Sequence, residues 1–260
     1  MRTAQNYAPW LREPKNLAYH SVRQTFGLVH DRDFRFIARL PARHDDLFLD
    51  IGANRGQSIL SMRHYRPDVP IVSFEPDPAM FRWLVRRFGS RTGLRLINVG
   101  LGETEGARVL HTPTYRGFAY DGLATFSRET ASLYLSDKTL FGFDPERLAI
   151  AEQICLTRPL DSFNLRPTLI KIDVEGCEHE VLQGAVETLR THTPVLLIER
   201  FYDNPSVTDL LDKLGYVEVR LRSGSFEAGA TTRENMICMT LATLTSVRAS
   251  GAQPRSGRKI

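Results

Sequence analysis

The chain has 260 residues, of which 42% are hydrophobic, and its formal net charge is +4 at neutral pH. This length suffices for one α/β domain of the larger kind with its own core. No apolar run reaches the roughly 18–20 residues of a membrane span, and the N-terminus lacks the pattern of a signal peptide. The three cysteines are odd in number and widely separated, which indicates reduced thiols. We therefore expect a cytoplasmic protein without a membrane span.

The basic excess resides in the C-terminal end of the chain. Residues 246–260 contain four basic residues and no acidic residue, and they are rich in Ser, Gly, Arg and Pro. Of the 34 basic residues, the 30 that remain equal the 30 acidic residues in number. We predict a disordered basic tail over residues 246–260 and no nucleic-acid partner, because the body of the protein is formally neutral.

Helical patterning in short pieces precedes the main domain. We predict a helical extension over residues 1–44, in which Phe34, Ile37 and Leu40 share one apolar face. This extension is expected to pack beside the main domain or to shape a substrate entrance, and it could also form a homodimer contact.

From residue 45 to about residue 245, short apolar runs alternate with helical patterns. This alternation is typical of βαβ units and predicts one domain with a Rossmann-like, mostly parallel sheet. The last two apolar runs, residues 217–221 and 236–241, have no helical pattern between them and predict a closing antiparallel pair. The other predicted strands cover residues 47–51, 71–74, 94–99, 169–172 and 195–198, and the predicted helices cover residues 58–64, 78–88, 178–189 and 207–214.

Residues 112–150 interrupt the alternation. The segment holds seven aromatic residues among glycines and polar residues, without a clean strand or helix period. A stretch of this length without periodicity predicts a substrate-side insertion or lid, and a short packed hairpin or helix is the alternative. Residues 154–157 could add a further strand.

Acidic residues follow four of the predicted strands. Asp50, Glu75, Asp173 and Glu199 each lie at a strand's carboxyl end, where open α/β sheets bind their ligands. A single acid in such a place is most simply explained as a helix N-cap. Four acids at matching positions favour a ligand site instead.

The first strand leads into a loop with the pattern Asp50-x-Gly52-x-x-x-Gly56, whose glycines suit a turn close to a bound cofactor. Glu75 ends the second strand, from where a carboxylate can accept both hydroxyl protons of a ribose. Asp50 could meet the ammonium of a methionine moiety but would repel a pyrophosphate. The loop also lacks the third glycine of a dinucleotide site. These features favour S-adenosylmethionine over NAD, and an NAD-dependent oxidoreductase remains the alternative.

Five segments together resemble the FkbM family of methyltransferases. The most specific is Ile-Lys-Ile-Asp-Val-Glu-Gly-Cys-Glu at residues 170–178, and the others are residues 50–56, 74–76, 98–100 and 160–161. The resemblance extends from about residue 46 to 241. It implies a class I, S-adenosylmethionine-dependent methyltransferase that methylates a hydroxyl of a sugar, glycan or secondary metabolite.

The resemblance also implies which residues hold the methyl donor. They are, on the methionine side, Asp50, Gly52, Asn54 and Gly56; at the ribose, Glu75 and Pro76; and beside the adenine, Asn98 and Val99. The last two could instead belong to an ordinary turn at the end of a strand.

Methyl transfer requires that the acceptor hydroxyl be aligned and lose its proton. Asp173 is the first candidate for both tasks, and Glu175, His179 and Glu199 are the further candidates. Asp173 and Glu199 end neighbouring strands and could hold Mg²⁺ against the acceptor, although no spacing requires a metal. A non-catalytic S-adenosylmethionine-binding module is a further alternative, which the intact motif residues disfavour.

Overall fold

The computed structural model describes residues 32–200, 204–230 and 234–250. Five short segments form the parallel part of its main sheet, and each pairs in register with its neighbour. The four central ones are buried on both faces, which explains why their sequences are continuously apolar rather than alternating. With the strands numbered along the chain, the five are β1 Phe48–Ile51, β2 Ile71–Phe74, β3 Leu94–Ile97, β8 Leu169–Ile172 and β9 Val195–Glu199.

Antiparallel strands complete this sheet beyond β9. They are β10 Tyr216–Arg222, β11 Ser225–Ala228 and β12 Asn235–Thr240. β12 lies between β9 and β10 and runs antiparallel to both. The full strand order is β11-β10-β12-β9-β8-β1-β2-β3. This order confirms the predicted Rossmann-like sheet, mostly parallel with a closing antiparallel strand.

The core occupies both faces of the main sheet. Successive residues of a strand point to opposite faces, so Phe48 packs in the same cluster as Ile59 and Trp83, whereas Leu49 belongs to the cluster of Val181 on the other face. Because both faces are covered, a ligand can reach the sheet at the carboxyl ends of its strands.

Helices follow most of the strands. Helix α2 begins at Pro78, as predicted, and the side chain of Asp77 caps it by accepting a hydrogen bond from the Ala79 amide at 2.7 Å. The helices are α1 Gln57–Tyr65, α2 Pro78–Phe88, α3 Arg128–Leu133, α4 Glu178–Gln183, α5 Val186–His192, α6 Pro205–Lys213 and α7 Leu241–Ala249.

The prediction of a single helix over residues 178–189 is wrong, because the structure has two helices there, α4 and α5, separated at Gly184. A Cβ at Gly184 would lie 2.0 Å from the carbonyl oxygen of Gly102. The backbone of another segment therefore passes where a side chain would be, and glycine also propagates a helix poorly. Apolar periodicity along the chain could not reveal this close approach.

A smaller, second sheet borders the segment at residues 112–150, and both ends of the segment belong to its strands. Strands β5 and β7 pair antiparallel along their whole length, and the sheet order is β4-β7-β5-β6. The turn beyond β5 has its own apolar cluster, made by Tyr115, Phe118, Tyr120, Leu135 and Leu140. The strands are β4 Gly100–Leu101, β5 Gly106–Tyr115, β6 Phe118–Ala119 and β7 Leu148–Arg158, with 3-10 turns at Asp121–Leu123, Pro145–Arg147 and Leu160–Phe163.

The two ends of the chain differ from the expectations in part. Most of the extension predicted over residues 1–44, and with it the homodimer contact, lies outside the described residues. Its described part is a 3-10 helix over Arg32–Arg39, which buries Phe34, Phe36 and Ile37. The tail predicted over residues 246–260 begins too early, because α7 continues to Ala249 and buries Val247.

Two further findings concern the expected surroundings of the protein. All three cysteines are buried and free of disulfides. Among the helices of residues 32–200, 204–230 and 234–250, none is long and apolar enough to cross a membrane.

Candidate active site

A cavity of about 590 Å³ opens at the carboxyl ends of β1, β2, β8 and β9, which is the ligand position expected for this topology. Its volume lies within the range of small-molecule sites. The second sheet closes one side of it, through residues around Thr125. Of the twelve sequence-predicted site residues, eight line the cavity, namely Gly52, Asn54, Glu75, Pro76, Val99, Asp173, Glu175 and Glu199. The other four, Asp50, Gly56, Asn98 and His179, do not line it.

Asp50 lies beneath the cavity rather than in it. Its register partners on the neighbouring strands are Ser73 and Lys171, so the three polar side chains form a row across the buried sheet. The Asp50 side chain is fully buried, and Ser73 Oγ donates to its Oδ2 at 3.1 Å. The expected contact between Asp50 and a methionine ammonium is therefore corrected, because Asp50 belongs to the strand and faces Lys171.

Lys171 connects this row to the cavity. Its Nζ lies 3.6 Å from Oδ1 of Asp50 and 3.1 Å from Oδ2 of Asp173. It also donates to the carbonyl oxygen of Gly52 at 2.9 Å. Burial alone would lower the pKa of Lys171, but the two carboxylates outweigh burial and raise it. Lys171 is therefore a stable ammonium at the floor of the cavity.

The two glycines of the first loop are required for different reasons. Gly52 has φ +80°, and a Cβ there would lie 1.8 Å from the carbonyl oxygen of Asp173. Gly56 has φ +74°, and a Cβ there would lie 2.5 Å from the ring of Phe88 in α2. Gly52 thus allows the loops after β1 and β8 to touch. Gly56 allows helix packing and does not line the methionine side, which corrects the expectation for it.

Glu75 presents its carboxylate to the cavity from the end of β2. Its Oε2 accepts from the Asn54 amide at 2.7 Å, and its Oε1 accepts from the Asp77 amide at 2.9 Å. Burial raises the pKa of Glu75 to about 7, although these two backbone donors oppose the rise. Each oxygen keeps a second lone pair, so the carboxylate can also accept from two vicinal hydroxyls.

Asn98 supports this loop from behind. Its amide donates to the carbonyl oxygens of Glu75 and Pro76 at 2.8 and 3.0 Å. Asn98 does not line the cavity, so its predicted place beside an adenine is not supported by its position. Val99, the next residue, lines the cavity with 8% of its surface exposed.

The first loop is tied to the second sheet through Asp121. Arg55 forms an ion pair with Asp121 Oδ2 at 2.7 Å, and the Asn54 side chain donates to the Asp121 carbonyl at 3.0 Å. The guanidinium of Arg55 also lies 5.5 Å from the ring centroid of Trp83, a cation–π contact. Asp121 lines the cavity but was not among the predicted residues. Its partner lies 66 residues away in the chain, and no local pattern reveals such a contact.

Three carboxyl groups gather at the other end of the cavity. Glu199 shares a hydrogen bond with Asp173, and burial followed by this bond raises the pKa of Glu199 far above its usual range. Burial and the charge of Asp173 raise the pKa of Glu175 to about 8. Asp173 and Glu199 therefore form a coupled pair that keeps a shared proton at neutral pH, and Lys171 Nζ lies 3.1 Å from Oδ2 of Asp173.

The loop after β8 brings Glu175 into this cluster. Glu175 adopts φ +54°, an uncommon conformation for a residue with a side chain. Tyr134, which directly follows helix α3, donates to its Oε2 at 2.6 Å. Glu178, which is buried, accepts from the amide of Gly176 at 3.0 Å and holds the loop from within. His179 does not line the cavity, so its candidacy as a catalytic residue is not supported by its position.

The same three carboxyls are the candidate metal ligands. One oxygen from each of Asp173, Glu175 and Glu199 lies within 4.8 Å of the others, a donor set that Mg²⁺ accepts. However, the ammonium of Lys171 and the proton shared with Glu199 already neutralise part of this cluster. A cation would have to displace that proton and lie close to the ammonium. The arrangement therefore does not require a metal.

Sheet order, cavity position and the acid at the end of β2 together define the class of the protein. Strand β12 is inserted antiparallel between β9 and β10, and the cavity lies over β1 and β8 at the centre of the sheet. This is the architecture of Rossmann-like methyltransferases that use S-adenosylmethionine.

The chain belongs to the FkbM methyltransferase family. The family model described as methyltransferase FkbM domain matches residues 50–218. The 2-O-methyltransferase NoeI of Sinorhizobium fredii is 28% identical over 60% of this chain, and the match spans 63% of that enzyme's length. The methyltransferase sdnD of Sordaria araneosa is 26% identical over 83% of this chain and 92% of its own length.

Among solved structures, the chain is similar to a methyltransferase FkbM from Methylobacillus flagellatus. The TM-score is 0.47 and the sequence identity 17%, with 78% of this chain and 47% of that chain covered.

Proposed function

We propose that this protein transfers a methyl group from S-adenosylmethionine to a hydroxyl oxygen of a small-molecule or glycan acceptor. The observation that carries the proposal is one cavity with two chemically different ends. Glu75 lies at one end, and the carboxyl cluster of Asp173, Glu175 and Glu199 lies at the other. The relative NoeI, named a 2-O-methyltransferase, agrees with oxygen as the acceptor atom.

The donor end of the cavity fits S-adenosylmethionine. Glu75 can accept the two ribose hydroxyls, because each of its oxygens keeps a lone pair beyond its backbone donor. Pro76 and Val99 supply an apolar wall next to it, suited to an adenine. The donor, when bound, supplies a methyl group already activated on a sulfonium.

The residues at the acceptor end perform the remaining steps. Asp173 orients the acceptor hydroxyl, and its carboxylate takes the hydroxyl proton as the oxygen–methyl bond forms and the carbon–sulfur bond breaks. Lys171 places a positive charge 3.1 Å from the Asp173 carboxylate, and Glu199 shares a hydrogen bond with that carboxylate. Glu175, steadied by Tyr134, can accept from a second hydroxyl of the acceptor. The cluster is thus suited to a polyhydroxylated acceptor.

The proposal is tested by incubating the protein with methyl-labelled S-adenosylmethionine and a panel of sugars, oligosaccharides and hydroxylated metabolites. We expect label in an ether product that mass spectrometry identifies. Calorimetric titration separates the alternatives, because S-adenosylhomocysteine is expected to bind and NAD is not. Tight NAD binding would instead support an oxidoreductase. Donor binding without transfer to any acceptor would support a binding module.

Donor affinity is expected to depend on pH through Glu75. The pKa of Glu75 is about 7, so lowering the pH from about 8 to about 6 protonates the carboxylate that accepts the ribose hydroxyls. The S-adenosylhomocysteine affinity should fall by up to about tenfold over this interval, and calorimetry measures it. The Glu75→Gln variant should bind weakly at every pH, and a wild-type slope in that variant would contradict the assignment.

Tyr134→Phe is expected to slow transfer without weakening donor binding. The variant removes the hydroxyl that donates to Glu175, a loss of about 0.5–1.5 kcal/mol or roughly threefold to tenfold in kcat. Tyr115→Phe is the matched control, because its hydroxyl bonds to Gly142 and Asp144 within the same segment. An equal loss in both variants would mean that Glu175 does not depend on Tyr134.

Removal of divalent cations is expected to leave transfer unchanged. Lys171 and the shared proton supply the positive charge at the carboxyl cluster. Initial rates after treatment with excess EDTA should equal those of untreated protein. A rate that falls with EDTA and returns with Mg²⁺ would assign the cation to this cluster.

A further inference from the structure

Lys171 makes contacts that its charge pairing alone does not explain. Its side chain is 8% exposed and extends from β8 toward the loop after β1. The Nζ atom donates to the Gly52 carbonyl at 2.9 Å and lies 3.1 Å from Asp173 and 3.6 Å from Asp50. An ammonium has three protons, and hydrogen bonds to Gly52, to Asp173 and, at 3.4 Å, to the Ile51 carbonyl can use them, while Asp50 acts on it as a nearby negative charge.

We propose that Lys171 is a positioning residue that joins the donor loop to the carboxylate of Asp173 and thereby sets where donor and acceptor meet. This inference rests on the proposed function, since it assigns the two ends of the cavity to donor and acceptor. Lys171 acts through Gly52 on one side and through Asp173 on the other.

The backbone around Lys171 makes such a link effective. The Gly52 amide donates to Phe74 at 3.1 Å, and the Asp173 amide donates to Ile51 at 3.2 Å. The Gly52 carbonyl belongs to a planar peptide whose N–H, that of Ala53, donates to Phe74 at 3.1 Å, and Lys171 adds a second anchor on the carbonyl side. Because in-line transfer tolerates little misplacement, a shift of about 1 Å between the two loops can cost about 10²-fold in rate.

Asp50 has a separate and structural role. Its Oδ1 is buried with no hydrogen-bond donor within reach among the described residues, and Lys171 is the cation that faces it. Removing Lys171 leaves this carboxylate buried without compensation, which destabilises a protein strongly. A loss of stability in a Lys171 variant would therefore hide any loss of positioning.

A double-mutant cycle separates the two effects. The variants are Lys171→Met, Asp50→Asn and the double variant, each measured for thermal midpoint, S-adenosylhomocysteine affinity and kcat at saturating donor. Lys171→Met should lower the midpoint and weaken affinity about tenfold or more, because the Gly52 carbonyl loses a charged donor. Asp50→Asn should leave affinity within about twofold of wild type, since Lys171 keeps Gly52 and Asp173.

The double variant decides the question. It should regain most of the thermal midpoint, because no buried charge is left at position 50, while affinity and kcat stay as low as in Lys171→Met. Recovery of wild-type affinity and kcat in the double variant would overturn the proposal and leave Lys171 a structural role. If the wild-type protein fails to bind S-adenosylhomocysteine at all, the proposed function itself fails. This outcome differs from failure of the Lys171 proposal, in which the wild-type protein binds and the double variant recovers.

Discussion

Methyl transfer by the Asp173→Asn variant is expected to be about 10²- to 10⁴-fold slower than wild type, the usual contribution of a general base. Donor binding should change by less than about threefold, since the backbone of residue 173, which contacts Gly52, is unaltered by this substitution. The loss should appear in kcat, because the carboxylate matters most when the hydroxyl proton leaves.

The physical reason lies in what an asparagine lacks at this position. It keeps the size of the side chain, but its amide group is not a base and does not carry the negative charge that pairs with Lys171. Transfer is measured with labelled donor and the best acceptor of the panel, and binding is measured by calorimetry with S-adenosylhomocysteine.

Two control variants accompany Asp173→Asn. Glu180→Gln is the matched acid-to-amide change, in the first turn of α4 and outside the cavity. His179→Gln tests the histidine that the sequence analysis gave as a catalytic candidate. Both are expected to transfer methyl groups at near wild-type rates. Full activity of Asp173→Asn would refute the assignment of Asp173 as the general base. A large loss of activity in His179→Gln would support a catalytic role for His179.

The sheet was predictable because its strands are buried on both faces and therefore read as continuous apolar runs bounded by turns. The strand-end acids Glu75, Asp173 and Glu199 line the cavity for a related reason, since the topology gathers the carboxyl ends of the strands. The predicted strand over residues 47–51 places Asp50 in the sheet, but the motif could not reveal that its side chain is buried there. Its orientation depends on register with Ser73 and Lys171, which belong to other strands.

Contacts between distant segments account for most of what the sequence did not reveal. Tyr134 and Glu175 are 41 residues apart, and Asp121 meets a loop 66 residues before it. Tyr134 and Asp121 both lie in the segment at residues 112–150, for which a short packed hairpin was the alternative prediction. The strand predicted at residues 154–157 is part of β7. The second sheet is formed by pairing of β5 with β7, where exposed residues alternate with buried ones only partly. Long-range pairing of this kind leaves a weak local pattern.

The Gly52→Ala variant is expected to lose donor binding and much of its stability. A Cβ at Gly52 would lie 1.8 Å from the carbonyl oxygen of Asp173. The Gly52 Cα that would carry it and the Asp173 carbonyl both belong to backbone next to strands of the main sheet. The loops after β1 and β8 must therefore separate by roughly 1 Å or more, which breaks the geometry on which in-line transfer depends. Transfer should fall by at least about 10²-fold.

Gly117→Ala is the control that isolates this steric effect from backbone strain. Gly117 has φ +76°, nearly that of Gly52, but a Cβ there would meet no atom within 4 Å. The left-handed conformation should cost each alanine about 1–2 kcal/mol of unfolding free energy. Gly52→Ala should lose about 1–3 kcal/mol more from overpacking, measured by urea denaturation. Equal losses of stability and equal donor affinity in the two variants would show that the loops after β1 and β8 do not need their close contact. A larger loss of stability and of donor affinity in Gly52→Ala than in Gly117→Ala would show that the donor loop must pack closely against Asp173. Lys171 contacts the same two segments.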